Sequence, residues 1–214
     1  MSDLRIVLLG KSLFENIRVR NLILGTDVKE TKLPSDYLKN SIVRISEMVE
    51  NRNISLISCS PLLQQNLTQH QITERVKDCV SKSDPGPRVF ILILQHHNFS
   101  KKDKHRVMHV LNCFSDQAMK RTIVLTTDED IHRSVRNNEF TQLINECGGG
   151  HLHFNERQPG WCSEMFKRVD DILEKEPEEY LKCDIYEDAK AEGSVEEYSS
   201  HEKKKDGGGL FCKY

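Results

Sequence analysis

The chain has 214 residues, of which 37% are hydrophobic and 30% are charged, with a net charge of −2 and a pI near 6.5. This length suits one domain of ordinary size with a tail, and the near-neutral charge gives no general attraction to nucleic acid or anionic lipid. No apolar run approaches the roughly 20 residues of a transmembrane segment, and the first predicted strand starts too early to leave room for a signal peptide.

Five short apolar runs bounded by turns predict strands. Their Val, Ile and Leu content is typical of strands that are covered on both faces. In chain order they are Arg5–Leu9, Ile54–Ser58, Arg88–Leu94, Arg121–Thr126 and His151–Phe154. The segment from Thr26 to Asn53 is ambiguous, and it fits either an edge strand that pairs with Ile54–Ser58 or a helix.

Stretches with helical spacing alternate with these strands. After the helix that follows the first strand, they are His70–Val80, Lys101–Phe114, Glu139–Cys147 and Cys162–Lys175. Ser100 with Asp103 three residues later fits the start of a capped helix. Strands that alternate with helices predict an α/β fold, with a mainly parallel sheet flanked by helices on both faces.

The composition changes after Lys175, where the chain becomes acidic, then basic, then glycine-rich. We therefore expect one domain over residues 1–175 and a charged, flexible tail over residues 176–214. The seven cysteines are scattered and include no CxxC pair. This pattern favours a cytoplasmic protein whose thiols are reduced.

The segment Leu4–Gly25 reads as a strand, a turn at Gly10-Lys11-Ser12, and a helix, which is how a phosphate-binding loop begins. A complete loop ends in Gly, Lys and Ser or Thr, at positions that here hold Glu15, Asn16 and Ile17. Each replacement is unfavourable. A carboxylate beside phosphate costs about 4 kcal/mol at an effective dielectric near 20, an amide replaces a cation, and an apolar side chain cannot ligate Mg²⁺. Lys11 and the remaining N–H groups would hold an anion weakly.

Several blocks resemble the GIMAP family, the immunity-associated GTPases with an AIG-type G domain. The similar blocks are Leu4–Gly25, Arg88–Thr127 and Ile144–Gln158, so that the resemblance extends from Leu4 to about Lys175. It implies a three-layer Ras-like P-loop G domain that binds guanine nucleotide and associates through its nucleotide face.

The resemblance assigns the phosphate and metal positions one at a time. Gly10, Lys11 and Ser12 match the start of the family's loop, whereas Glu15, Asn16 and Ile17 depart from its end. The metal-proximal Asp-Thr-Pro-Gly motif aligns with Ser58-Cys59-Ser60-Pro61, which lacks the carboxylate. We therefore expect weakened binding of GTP or GDP and of Mg²⁺, with no metal ligand assigned.

The base-recognition positions are better preserved. Thr127 and Asp130 match the family's Thr-(Lys/Arg)-x-Asp segment, although Asp128 replaces its basic residue, and Asn155 matches the Phe-Asn near the base. Asp130 would otherwise cap a helix, and Asn155 would otherwise be a turn residue. His105, His109 and Cys113 have a spacing that can bind zinc, but an amphipathic helix explains that spacing more simply.

These observations predict a GTP-binding G domain that acts as a pseudo-GTPase through association with related G domains in immune-type signalling. No residue stands out as a catalytic base. Two alternatives stay open: a slow GTPase with a non-standard phosphate loop, and a purely structural interaction scaffold.

Overall fold

A computed structural model describes residues 3–26, 42–64, 66–127 and 137–184. The strands are β1 (Leu4–Gly10), β2 (Val43–Val49), β3 (Arg52–Ser58), β4 (Val89–Leu94), β5 (Thr122–Thr126) and β6 (His151–His153). They form one sheet in the order β2-β3-β1-β4-β5-β6. All neighbouring pairs are parallel except β2 and β3, which are antiparallel.

The five predicted strands are confirmed as β1, β3, β4, β5 and β6, with small shifts at their ends. The ambiguous segment contains β2, so the edge-strand alternative is correct for residues 43–49. Residues 27–41 of that segment lie outside the described part of the chain. The turn between β2 and β3 places Glu50 and Asn51 at positive φ, 48° and 61°.

Within the described ranges, five α-helices connect the strands. They are α1 (Leu13–Leu24), α2 (Gln69–Lys82), α3 (Lys101–Phe114), α4 (Asn138–Glu146) and α5 (Trp161–Lys175), with short 3-10 helices at Ser60–Leu63 and Ala118–Arg121. The predicted cap of α3 is confirmed, because Ser100 and Asp103 form a reciprocal capping box. None of the described helices is long and apolar enough to cross a bilayer.

The sheet lies between two helical layers, each with its own apolar core. Val7 and Leu9 of β1 belong to the core that α2, α3 and α4 cover, whereas Ile6 and Leu8 belong to the core under α1 and α5. Successive side chains of a strand point to opposite faces, so both faces of β1 are covered. The predicted three-layer α/β fold is therefore confirmed.

Packing continues beyond the predicted domain boundary at residue 175. Leu181 and Cys183 are buried in the core beside α2 and α3, and the Leu181 N–H donates to the Pro87 carbonyl at 2.8 Å. The guanidinium of Arg121 donates to the Glu178 carbonyl at 3.2 Å. Residues 176–184 thus lie against the domain, and residues 185–214 of the predicted tail fall outside the described chain.

The expectation of reduced thiols is wrong for two cysteines. Cys59, which follows β3, forms a disulfide with Cys79 of α2, and both side chains are fully buried. Cys113, Cys147, Cys162 and Cys183 are not disulfide-bonded. Burial, with a smaller contribution from Glu146, raises the pKa of Cys147 to about 12, so this thiol acts as a small apolar side chain.

Candidate functional site at the carboxyl edge of the sheet

The candidate cleft lies beyond the carboxyl ends of β1, β4 and β5, where ligands bind in open parallel sheets. The loop after β1 supplies Lys11 and Ser12, the first turn of α1 supplies Glu15, and the end of β4 supplies Gln95. Thr127, directly after β5, contacts Glu15. The structure thus brings six predicted residues together here: Gly10, Lys11, Ser12, Glu15, Asn16 and Thr127.

The connection between β1 and α1 is too short to wrap around a phosphate chain. β1 ends at Gly10 and α1 begins at Leu13, so that only Lys11 and Ser12 lie between them. Ser12 is the N-cap of α1, and its hydroxyl accepts from the Glu15 N–H at 3.3 Å. The Asn16 N–H donates to the Ser12 carbonyl at 3.1 Å. Glu15, Asn16 and Ile17 are therefore helical residues, and the N–H groups of Glu15 and Asn16 are used to form the helix.

Asn16 fills the space above Gly10. Its side chain is fully buried, and its Oδ1 atom lies well inside contact distance of where a Cβ on Gly10 would be. In a phosphate-binding loop, glycine provides room for a ligand to approach the backbone. Here the chain's own amide occupies that room, which is why position 10 has no space for a side chain.

Glu15 connects three elements. Its carboxylate accepts a hydrogen bond from the Thr127 hydroxyl and another from Gln95 Nε2 at 3.0 Å. These bonds tie α1 to the carboxyl ends of β4 and β5. The carboxylate therefore has donors from its own chain, at the edge where the resemblance expects phosphate.

Lys11 forms an ion pair with Asp103 of α3. Asp103 is 3% exposed and Lys11 is 41% exposed, and Ser100 also donates to this carboxylate, from N–H at 2.9 Å and from Oγ at 2.7 Å. Burial disfavours the charged form of Asp103, but the hydrogen bonds from Lys11 and Ser100 outweigh it and lower the carboxyl pKa. The one cation of the loop is thus held against an ionised carboxylate.

The space left in the cleft is small. Its volume is about 150 Å³, below the roughly 300–1,000 Å³ of typical ligand pockets. Ile93 and Phe99 contribute apolar surface, and Lys11 is its only cationic lining residue among those that the structure describes.

The residues that align with the family's metal-binding motifs do not fit Mg²⁺, for which no ligand is assigned from the sequence. Ile17 is buried and apolar, and Cys59, in the segment aligned with the metal-proximal motif, is disulfide-bonded. Mg²⁺ requires oxygen ligands in nearly octahedral geometry. The described residues also contain no group of three or more His, Cys, Asp or Glu side chains that could hold a metal ion, although His109 Nε2 lies 3.8 Å from Cys113 Sγ.

A second, open groove of about 390 Å³ lies where the resemblance places the base. Thr127 and Asn155 both line it. The Asn155 side chain accepts from the Arg157 N–H at 3.1 Å and so forms a turn. Asp130, the main predicted base contact, lies outside the described residues, as does Asp128.

Arg18 also lines this second groove. Its guanidinium lies 5.7 Å from the centre of the Phe14 ring and 5.5 Å from that of Phe154. It donates to the Glu156 carboxylate at 2.7 Å. Cation–π contacts in this range stabilise an exposed arginine by about 0.5–1 kcal/mol.

Sequence reasoning missed Gln95, Asp103 and Arg18 as parts of the site. Asp103 carried a signal, since its position three residues after Ser100 marked a helix start, but its pairing with Lys11 joins residues 92 positions apart. Gln95 directly follows a predicted strand, and its place at the carboxyl edge was the available signal.

Comparisons with known proteins agree with this fold. The chain is 24% identical over 169 residues to GTPase IMAP family member 8 from Mus musculus and 22% identical over 182 residues to that from Homo sapiens. These matches cover 73% and 82% of the chain but 25% and 27% of the relatives, so the chain spans about a quarter of their length.

Solved structures of Toc33 from Arabidopsis thaliana are similar in fold. The complex with GDP and Mg²⁺ has a TM-score of 0.62 at 12% identity, covering 86% of this chain and 89% of that one. The complex with Mg²⁺ and GMPPNP has a TM-score of 0.60 at 14% identity, covering 82% and 86%. The model of the AIG1 family matches residues 4–201, and with most of its length matched, the chain belongs to the AIG1 family.

Proposed function

We propose that this chain is a guanine-nucleotide-binding G domain that works as a pseudo-GTPase. It binds GTP or GDP weakly, hydrolyses GTP little or not at all, and acts by associating with other proteins. The observation that carries the proposal is the start of α1 at Leu13, which leaves two residues where a phosphate loop needs a wrapped segment. Two contacts support the proposal: Asn16 lies above Gly10 and Glu15 accepts a hydrogen bond from Thr127, so the chain's own side chains fill the space where the family resemblance expects phosphate.

The electrostatics support the same proposal. A triphosphate placed here would meet the Glu15 carboxylate. Lys11, the one cation among the described residues that line the cleft, would have to leave Asp103. Charge-assisted hydrogen bonds contribute about 1.5–3 kcal/mol each. If Lys11 left Asp103 to bind phosphate, it would lose one such bond and gain another, so the net gain in binding free energy would be small. The slow-GTPase alternative needs this exchange and is therefore less well supported.

Calorimetric titration of GTP into the full chain, with and without Mg²⁺, tests the proposal. We expect a Kd of about 1 mM or weaker, equivalent to about 4 kcal/mol of binding free energy, and little difference between the two conditions. Micromolar binding that depends on Mg²⁺ would overturn the proposal in favour of the enzyme.

A reversal experiment asks whether the three replaced residues are responsible. The triple variant Glu15→Gly, Asn16→Lys, Ile17→Ser should bind GTP at least about tenfold more tightly in Mg²⁺, because it removes one repulsion of several kcal/mol and restores a cation. Glu15→Gln is the matched control, since it removes the charge and keeps the size. A triple variant that binds no better than the parent would mean that positions 15–17 are not the end of the loop.

Association with other G domains is the proposed mode of action. Two findings support this proposal. The chain belongs to the AIG1 family, and its fold is similar to that of the chloroplast translocon components atToc33 and psToc159, for whose GTPase activity dimerization is important. We place this association in the cytoplasm and in immune-type signalling on the family resemblance alone. Sedimentation over a range of chain concentrations, alone and mixed with another AIG1-family G domain, tests it. A chain that stays monomeric in every mixture would leave the proposed association without support.

A further inference from the structure

The outer edge of the sheet at β2 is an exposed surface other than the cleft. β2 lies at one end of the sheet, and within the described residues β3 is the one strand that pairs with it. Every side chain of β2 is exposed or half-buried. Met48 is 68% exposed, and among the described residues only one other large hydrophobic side chain, Phe14 at 67%, is exposed to this extent.

The turn between β2 and β3 determines which backbone groups of β2 face outward. Val49 pairs with Arg52 across a turn of two residues, Glu50 and Asn51, which both have positive φ, as in a type I′ hairpin. The two residues that flank such a turn form a hydrogen-bonded pair, and these pairs alternate along an antiparallel ladder. Alternate residues of β2 therefore direct their backbone N–H and C=O groups outward, and these are Arg44, Ser46 and Met48.

β2 lacks the features that usually keep an edge strand from pairing, which include proline, lysine, a bulge or a very short strand. It is seven residues long, contains neither proline nor lysine, and keeps an unbroken register with β3 from Val43 to Val49. Arg44 is tied to its own chain, because its guanidinium donates to Ser55 Oγ at 3.0 Å and to the Asp3 carboxylate at 3.1 Å. The edge is therefore open to a further strand.

The sequence of β2 is complementary to itself in antiparallel pairing. When two copies pair about a two-fold axis at Ser46, each residue before Ser46 lies opposite one that follows it in the other copy. The opposite pairs are Val43 with Val49, Arg44 with Met48, and Ile45 with Glu47. Each strand carries one cation and one anion, and no like charges lie opposite each other. The aliphatic part of the arginine side chain also covers the exposed methionine.

We propose that β2 pairs with β2 of a second copy of this chain, antiparallel and centred on Ser46, so that the two sheets continue into one. The outward backbone groups of Arg44, Ser46 and Met48 form the hydrogen bonds between the copies, which is how an added strand gains affinity at a sheet edge. This inference rests on the proposed association with G domains and names a surface for it. It needs neither a nucleotide nor the cleft.

Sedimentation of the full chain over a range of concentrations tests the proposal. Met48→Lys places a charge on the edge and should raise the dissociation constant of the dimer at least about tenfold. Phe14→Lys is the matched control, because it makes an equally exposed apolar residue into lysine in the first turn of α1, and it should leave the constant unchanged.

The outcomes of this test separate the inference from the proposed function. If Phe14→Lys weakens the dimer and Met48→Lys does not, the chain associates through another face, so this inference is wrong and the proposed function stands. The same holds if the chain binds another AIG1-family G domain but not itself. A chain that stays monomeric in every mixture would contradict both.

Cysteine cross-linking tests the register. Ser46→Cys places two thiols at the two-fold axis, on Cα atoms about 5.5 Å apart, which is within the range of a disulfide, so mild oxidation should give a covalent dimer. Met48→Cys is the control, because its two copies lie about 14 Å apart along the strands and should not cross-link. Equal cross-linking of the two variants would overturn the proposed register.

Hydrogen exchange of the unaltered chain gives a result that does not depend on how well a variant folds. The N–H groups of Arg44, Ser46 and Met48 should become protected as the concentration rises into the range of the dimer. Equal protection at concentrations where the chain is monomeric would mean that a segment of the same chain, such as residues 27–41, already covers the edge, and the proposal would be wrong.

Discussion

The carboxylate of Glu15 accepts a hydrogen bond from the hydroxyl of Thr127, although 112 positions separate the two residues in sequence. Together with the bond from Gln95 at 3.0 Å, this contact connects the start of α1 to the ends of two central strands. Glu15, which departs from the sequence pattern of a phosphate-binding loop, thus makes stabilising contacts of its own.

Replacing Glu15 by Ala should therefore destabilise the domain. Hydrogen bonds to charged groups contribute about 1.5–3 kcal/mol each, and partial exposure reduces this, so we expect the free energy of unfolding to fall by about 1–2 kcal/mol in urea titrations. Glu139→Ala is the control, because Glu139 also lies in the first turn of a helix, and it should change stability by less than about 0.5 kcal/mol. If both variants lose the same amount, the bonds to Thr127 and Gln95 contribute nothing.

The packing of Asn16 over Gly10 leads to a second prediction. Gly10→Ala should lower the free energy of unfolding by about 1–3 kcal/mol, because the new methyl group collides with the Asn16 side chain. In an Asn16→Ala background the same change should cost at least about 1 kcal/mol less, and a double-mutant cycle measures this difference. Additive effects would show that Asn16 does not fill the space above Gly10.

The pairing of Lys11 with Asp103 should be visible in the pH dependence of stability. Folding lowers the Asp103 pKa, because the bonds from Lys11 and Ser100 outweigh burial, relative to about 3.9 in the unfolded chain. Stability from this pair is therefore complete above about pH 5 and is lost as the pH falls through the folded pKa.

Lys11→Met tests this pairing directly. At neutral pH it should cost about 1 kcal/mol, a modest value because Lys11 is 41% exposed, and the difference from the parent should shrink below about pH 4 as Asp103 is protonated. Lys167→Met, on the exposed face of α5, is the control and should show no such pH dependence. A cost that stays constant down to pH 2 would rule out a role for the Asp103 charge.

Most of the fold followed from local patterns. The predicted run Arg88–Leu94 is apolar from Val89 onward because both faces of β4 are covered, and this signal does not depend on distant residues. The signal was ambiguous before Asn53 because β2 lies at the edge of the sheet and is mostly exposed, so its apolar pattern is weak.

The candidate site was less predictable, because its contacts join residues far apart in sequence. The replacements at positions 15–17 could be seen in the sequence, but the start of α1 at Leu13 could not. A phosphate-binding loop and a helix differ here in whether the backbone N–H groups bind a ligand or form the first turn of the helix, and the sequence does not indicate which. The Cys59–Cys79 bond was missed for a similar reason. Nothing in a spacing of 20 residues indicates that a strand end and a helix meet.

The disulfide between Cys59 and Cys79 should be detectable in solution. Non-reducing digestion and mass spectrometry should yield a linked pair of peptides that contain Cys59 and Cys79. The free energy of unfolding of the double variant Cys59→Ser, Cys79→Ser should be about 3 kcal/mol lower than that of the oxidised parent, which is the value for closing a loop of about this length. Adding reductant should lower the parent's free energy of unfolding to within about 1 kcal/mol of the variant's. If reductant leaves the parent's melting temperature unchanged, the two thiols are not bonded in solution.

The segment after α5 should be part of the folding unit. Leu181 is buried, and Arg121, which is 1% exposed, donates to the Glu178 carboxylate at 3.0 Å and to the Glu176 carbonyl at 3.4 Å. A chain that ends after Lys175 loses the apolar burial of Leu181, worth about 1.5–3 kcal/mol, and leaves a buried guanidinium without these acceptors at a cost of about 1–3 kcal/mol.

We therefore expect a chain that ends after Lys175 to be less stable by at least about 3 kcal/mol than one that ends after Asp184, as measured by urea titration. Leu181→Ala in the full chain isolates the apolar contribution and should cost about 2–5 kcal/mol. Because the two truncated chains share every residue up to Lys175, equal stability would place the end of the domain at residue 175. A large difference would instead place the end of the domain beyond residue 175.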